Sequence, residues 1–139
     1  MIAAIAGENL RDVTALIHAL ATNRPGAGLG TVLAEVLEVV RDKHAQSELG
    51  AITVLVWSEA LRTPALAKQF DAMFGQLRAE LAELVREHQA RDVLPREASA
   101  GALTALLAAI IPGFILQLAI FGDKAVAGVP DAARALWPA

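Results

Sequence analysis

The sequence predicts an all-α fold, an orthogonal or antiparallel bundle of about six helices, from two observations. Apolar residues recur at intervals of three and four along most of the 139 residues, which is the spacing of one helix face. Clusters rich in proline and glycine, such as "TNRPGAGLG" and "GDKAVAGVP", separate these periodic segments. A strand remains an alternative only for "AITVLVW", which is rich in β-branched residues. The length suits a single domain over residues 1–139.

The first three helices follow from this pattern. The first covers Ile2 to Leu20 and the second about Thr31 to Ala45, each with apolar side chains on one face and charged side chains on the other. The third is "SELGAITVLVWSEAL", for which Ser47 is the expected N-cap.

The fourth helix has the clearest signals. Thr63 is the expected N-cap, Pro64 suits the first helical position, and the helix extends to about Arg91. Its inward stripe is Leu66, Phe70, Met73, Leu77, Leu81 and Leu84. Pro95 then separates it from the next helix, and a short last segment covers Asp131 to Trp137.

The fifth helix lies in a stretch without charge, from Ala98 to Phe121. A helical projection puts bulky residues on one stripe: Leu103, Leu106, Ile110, Phe114, Gln117 and Phe121. The opposite stripe consists of small residues, and we expect it to form a dimer interface because small side chains allow a second backbone to approach closely: Gly101, Ala105, Ala108, Pro112 and Ala119. A kink is expected at Pro112.

The same stretch raises the alternative of a small integral membrane protein that spans through 98–121. The stretch is long enough for a helix to cross a bilayer. Its flanks favour a soluble protein, because Arg96 and Glu97 precede it, Asp123 and Lys124 follow it, and no aromatic belt borders it.

Composition narrows the class of protein. The chain has no cysteine and a formal net charge of -3, so we expect a cytoplasmic protein without disulfides and without a basic surface for nucleic acid. The three histidines lie on different predicted helices and complete no metal-binding pattern, and no serine lies in a nucleophile elbow. We therefore predict no enzyme activity, no metal and no cofactor. A helical-bundle enzyme or metal carrier would require His44 or His88 to meet a cluster of carboxylates.

Large side chains on the inward stripes can pack a core, or they can line a cavity for a small apolar or amphipathic effector. The candidate ligand-binding residues are Trp57, Phe70, Met73, Phe74, Leu77, Ile110, Phe114 and Gln117. Gln117 is included because an amide on an apolar stripe needs a hydrogen-bond partner.

Two segments in this order resemble a known family. They are "VLVWSEALRTPALAKQFDAMFGQLRAELAELVREH" and "GALTALLAAIIPGFILQLAIFGD". The matching features are Trp57, Glu59, Ala60, Arg62, Pro64 and Leu66, followed by Gly113, Gln117 and Gly122. The pattern is similar to the C-terminal domain of TetR-type transcriptional regulators, with residues 1–22 resembling the helix that connects it to the DNA-binding unit.

The resemblance implies a homodimer formed by the last two helices of each subunit and an effector bound between the middle helices. In an intact repressor, effector binding would lead to release of DNA. Residues 1–139 contain no segment that resembles the helix-turn-helix of the family, so we expect DNA binding only through such a unit in an intact protein. A non-catalytic helical interaction module is the remaining alternative.

Overall fold

The computed structural model describes residues 2–23, 27–47 and 49–138, with side chains described for 7–23, 27–46 and 50–138. Within these ranges the chain forms seven helices and no strand. They are α1 (Ile2–Asn23), α2 (Leu29–Ser47), α3 (Leu49–Ala60), α4 (Pro64–Ala90), α5 (Ala100–Phe121), α6 (Asp123–Val126) and α7 (Val129–Leu136). The predicted all-α class is therefore confirmed, and the strand alternative for "AITVLVW" is wrong because this segment lies within α3.

Helices α1, α2, α4 and α5 enclose a core that has two adjoining parts. The first part joins α1, α2, α4, α5 and α6 through Val13, Ile17, Val36, Leu37, Val40, Leu77, Leu81, Ile111, Phe114, Ile115, Leu118 and Val126. The second part lies nearer the start of α2 and the end of α4, and it also includes Ala133 of α7. Burial of these apolar surfaces supplies most of the free energy that favours the folded state.

The starts of α4 and α5 show how the chain enters the two long helices. Ser99 caps α5, because its hydroxyl accepts a hydrogen bond from the backbone N–H of Ala102 at 3.2 Å. Thr63 occupies the N-cap position of α4, as expected, but makes no side-chain cap. Its hydroxyl donates to the Glu59 carboxylate at 3.2 Å instead, so the capping role predicted for Thr63 is wrong. Ser47 is the last residue of α2, and α3 begins at Leu49, so the N-cap role predicted for Ser47 is also wrong; its side chain is not among those described.

The end of the chain differs from the prediction. A one-turn helix, α6, follows α5 at once, and α7 begins at Val129, two residues before the predicted start. Helix α7 packs on α2, where the N–H of Gly30 donates to the carbonyl of Trp137 at 3.2 Å. Arg134 reinforces this contact by binding Glu38 at 2.8 Å.

Helix α5 is turned relative to the projection made from the sequence. Its buried residues are Thr104, Leu107, Ile111, Phe114, Ile115 and Leu118. Of the bulky stripe, Phe114 alone is buried, whereas Leu106, Gln117 and Phe121 are exposed. The projection failed because apolar residues occupy every side of α5, so hydrophobicity alone does not indicate which side faces inward.

Candidate functional site

A partly enclosed cavity of about 60 Å³ lies where α1, α3, α4 and α5 meet beside α2. One water molecule requires roughly 10–15 Å³ on the same measure, so the cavity has room for several waters or one small ligand. Its floor consists of buried residues, namely Val13, Val40, Thr53, Leu77, Ile111 and Ile115. Its rim consists of half-buried residues, namely Asn9, Leu10, Trp57, Phe70, Phe74 and Pro112.

Three aromatic side chains of the rim contact one another. The rings of Trp57 and Phe74 have centroids 6.2 Å apart at an interplanar angle of 63°, and those of Phe70 and Phe74 are 5.8 Å apart at 82°. These are edge-to-face contacts, a preferred geometry for aromatic pairs. They join α3 to α4 and form one wall of the cavity.

The lining is almost entirely apolar. Among the described residues that line the cavity, none is charged. Asn9 of α1 and Thr53 of α3 supply the amide and hydroxyl groups, and Trp57 carries one further N–H. A wall of this kind, with a few polar groups, is typical of small-molecule sites.

The structure brings together half of the predicted pocket residues. Trp57, Phe70, Phe74 and Leu77 line the cavity, whereas Met73, Ile110, Phe114 and Gln117 do not. Met73 lies instead in a shallow groove between α1 and α4, its sulfur close to Gly7.

The other three predicted residues do not reach the cavity because of the orientation of α5. Phe114 is buried in the first core cluster, and Ile110 packs between both clusters. Gln117 is exposed, so its amide needs no partner inside the protein. The neighbouring residues Ile111, Pro112 and Ile115 take the places that the projection assigned to Ile110, Phe114 and Gln117.

The sequence also contained signals for lining residues that were not selected. Asn9 precedes Val13 by four positions and therefore shares its inward face of α1. Thr53 is the polar member of the apolar run "AITVLVW" and is buried. In both cases the signal was a polar residue on an inward face. The same signal made Gln117 a candidate.

The five residues of the small stripe fall into two groups. Gly101 and Ala105 are exposed and free to meet a partner. The other three are half-buried against their own chain: Ala108 packs on the first core cluster, Pro112 lines the cavity, and Ala119 lies against Gly50. A Cβ at Gly50 would lie 2.7 Å from the Cβ of Ala119, so α3 and α5 are in close contact there. Helix α5 continues through Pro112.

The uncovered side of α5 is apolar as well. Leu106, Leu116, Ile120 and Phe121 are large hydrophobic residues that are 44% to 68% exposed. Together with Gly101 and Ala105 they form what we call the α5 outer face. A large apolar surface of this kind is typical of an interface with another molecule.

Helix α5 is the one helix in the described ranges that is long and apolar enough to cross a membrane. The core helix of a soluble protein meets the same criterion, and the inward side of α5 contributes to both core clusters. Its length and composition are therefore weak evidence for a membrane span.

The histidines have local partners. His18 lies 2.9 Å from the Glu80 carboxylate, and the Nδ1 of His44 accepts the N–H of Gly50 at 2.9 Å. His88 is fully buried: its Nδ1 lies 2.8 Å from the Leu84 carbonyl, which can only accept, and its Nε2 lies 3.1 Å from Arg91. The described residues contain no group of three His, Cys, Asp or Glu side chains that could hold a metal ion.

These features define a class of protein: a small helical domain with an apolar cavity and an apolar helix face on its surface. Residues 30–136 match the family model of the BetI-type transcriptional repressor, C-terminal domain. The match covers most of the chain, which therefore belongs to the TetR family of transcriptional regulators, as the resemblance predicted. No curated protein and no solved structure matches the chain.

Proposed function

We propose that this chain is the small-molecule sensing and dimerisation domain of a TetR-type transcriptional repressor. The observation that carries the proposal is the partly enclosed apolar cavity at the meeting point of α1, α3, α4 and α5, within a domain of this family. Its lining residues come from separate helices, so a bound ligand would favour one arrangement of those helices over another.

The coupling to DNA runs through α1 in this proposal. Asn9, Leu10 and Val13 of α1 line the cavity, and α1 resembles the helix that connects the domain to a helix-turn-helix unit. When such a unit precedes α1, a ligand that shifts α1 changes the spacing of the two DNA-reading helices in a dimer and releases the operator. The protein acts in the cytoplasm, without enzyme activity or cofactor.

Dimerisation uses a second copy of the chain on the α5 outer face. Gly101 and Ala105 allow close approach of the partner, and Leu106, Leu116 and Ile120 supply apolar surface. Helix α5 is one of the two final helices predicted from the sequence, and the resemblance implies a dimer contact formed by those two helices, which supports this proposal. The sequence pattern also assigned Ala108, Pro112 and Ala119 to this interface. These residues are half-buried against their own chain, so the proposed interface rests on the exposed residues of α5 instead.

A blocking substitution at the rim tests the sensing function. Leu10 is half-buried and lines the cavity, so Leu10→Trp would fill space that a ligand needs without enlarging a fully buried side chain. We expect compounds that stabilise the wild-type domain in a thermal-shift screen to lose at least tenfold in affinity with this variant, as measured by calorimetry.

Leu66→Trp is the matched control, because Leu66 is also half-buried but does not line the cavity. It should leave ligand affinity unchanged. Hits that bind Leu10→Trp as tightly as wild type would show that their site is elsewhere, and a broad library without any hit would contradict the sensing function.

A further inference from the structure

The polar groups of the cavity indicate which ligands it accepts. Thr53 is 8% exposed and lies on the floor, yet within the described part of the chain its hydroxyl makes no hydrogen bond. Both other buried threonines do bond to a backbone carbonyl of their own helix: Thr14 to Leu10 at 2.8 Å and Thr104 to Ala100 at 2.7 Å. No fully buried side-chain oxygen or nitrogen of the described residues lacks a partner, so the Thr53 oxygen is accessible from the cavity, where its donor and acceptor are unused.

A ligand that fills the cavity removes water from the Thr53 hydroxyl, and a polar group that loses water without gaining another partner is destabilising. A ligand that supplies a hydrogen bond to this hydroxyl avoids that loss and binds more tightly than one that does not. Asn9, at the rim, also makes no hydrogen bond to any residue that the structure describes, and it offers both donors and an acceptor. Thr53 and Asn9 come from α3 and α1, so a ligand that bonds to both would link these helices.

Charge argues against an ionic ligand. No carboxylate, ammonium or guanidinium is among the described lining residues, and moving an unpaired charge into such a site is strongly unfavourable. Aromatic cages can bind cations when ring faces point at the charge. In this cavity the aromatic ring faces are partly occupied by neighbouring rings, because Trp57, Phe74 and Phe70 contact one another edge to face.

The volume of the cavity limits the size of the ligand. The cavity of about 60 Å³ corresponds to about four to six water molecules and is less than half the size of the roughly 150 Å³ apolar cavity that binds benzene in another protein. A ligand of one ring would therefore require the half-buried rim residues to move, which makes one ring the upper limit of size.

We infer that the cavity binds an uncharged, mainly apolar molecule no larger than about one ring. One polar group of this ligand hydrogen-bonds to the Thr53 hydroxyl, and Asn9 is a second polar contact at the rim. This inference rests on the proposed sensing function and specifies the ligand class of that site. Thr53 is the residue that selects a polar ligand over an apolar one of the same shape.

Four one-ring probes of similar size test this assignment: benzyl alcohol, ethylbenzene, benzylammonium and benzoate. Affinities for the wild-type domain and for Thr53→Val are measured by calorimetry. Valine has the shape of threonine without the hydroxyl, so Thr53→Val should weaken benzyl alcohol about tenfold relative to ethylbenzene. Both ions should bind wild type at least tenfold more weakly than benzyl alcohol.

Two controls accompany Thr53→Val. Thr104→Val removes a buried hydroxyl that does not line the cavity, and it should leave the ratio of the two neutral affinities unchanged. Thr53→Ser keeps the hydroxyl and should retain the preference for benzyl alcohol, which separates loss of the hydrogen bond from a change in packing.

The outcomes distinguish this inference from the sensing function itself. An unchanged ratio in Thr53→Val, or tighter binding of either ion than of benzyl alcohol, would overturn the ligand class. If none of the four probes binds while library hits are lost in Leu10→Trp, the ligand class is again wrong but sensing stands. If the library also yields no hits, both proposals fail.

Discussion

Gly30 shows how a single residue determines where the end of the chain docks. A Cβ at this position would lie 2.3 Å from the carbonyl oxygen of Ala133 and 2.6 Å from that of Trp137. Both atoms belong to backbone, which cannot rotate away as the tip of a side chain can. Glycine is therefore required at this position if α7 is to pack on α2 as it does.

Gly30→Ala should destabilise the domain by about 1–3 kcal/mol, the usual range for overpacking a tight contact. The free energy of unfolding is measured by chemical denaturation. Gly75→Ala is the control, because nothing lies within 4 Å of the Cβ it would add inside α4, and it should stabilise by about 0.5–1 kcal/mol through helix propensity. Equal stability of Gly30→Ala and wild type would contradict the docking of α7 described above.

The type of side chain also explains which residues of the cavity could be predicted from the sequence. Trp57, Phe70 and Phe74 are large, inward-facing and close in sequence to a well-defined helix start, so their helix faces were predictable. Thr53 and Asn9 were not selected because a short polar side chain gives a weak periodic signal, and only the structure shows that both reach the same cavity.

At the scale of the helices, charge decided how well each one could be predicted. Helix α4 has charged residues on one side and apolar residues on the other, so both its bounds and its inward face followed from the sequence. In α5 no charged residue marks the outer side, and its inward face was predicted incorrectly. The bounds of α5 were close to correct because Ser99 and Gly122 flank the charge-free run.

Helix α6 is joined to α2 by an ion pair between Arg41 and Asp123. The Arg41 guanidinium contacts both carboxylate oxygens, at 2.5 and 2.6 Å. The hydrogen bond from Arg41 holds the pKa of Asp123 below its ordinary value of 3.8, against a smaller opposing effect of desolvation. A carboxylate with a lowered pKa stabilises the folded state above that ordinary value, and the stabilisation is lost as pH falls through the pKa of the folded state.

Asp123→Asn should therefore lower the free energy of unfolding at neutral pH, with the difference from wild type disappearing as pH falls below about 4. The exposure of the pair means that added salt should also reduce the difference. Denaturation curves collected across the acid range measure this effect. Arg41→Gln in the Asp123→Asn background should cause little further change, and a difference that persists unchanged at low pH would contradict the role of the carboxylate charge.

At the scale of the whole molecule, the oligomeric state depends on what covers the α5 outer face. The all-α fold and the family followed from helical spacing, from loop positions and from the order of segments, which are local properties of the sequence. The choice of partner for an apolar face is not local, because a second subunit, a membrane and other proteins all favour burial of the same surface. Membership of the TetR family favours a second copy of the chain.

The most direct test is the molar mass of the protein in detergent-free buffer, measured by light scattering after size exclusion at tens of micromolar. We expect twice the mass of one chain for wild type and for Leu61→Glu, whose site is 89% exposed between α3 and α4. Leu106→Glu, on the α5 outer face, should give a monomer, because a carboxylate buried there would lack a counter-charge. Three results would contradict a dimer formed through the α5 outer face: a monomeric wild type, a dimer that Leu106→Glu leaves intact, or aggregates that resolve only in detergent.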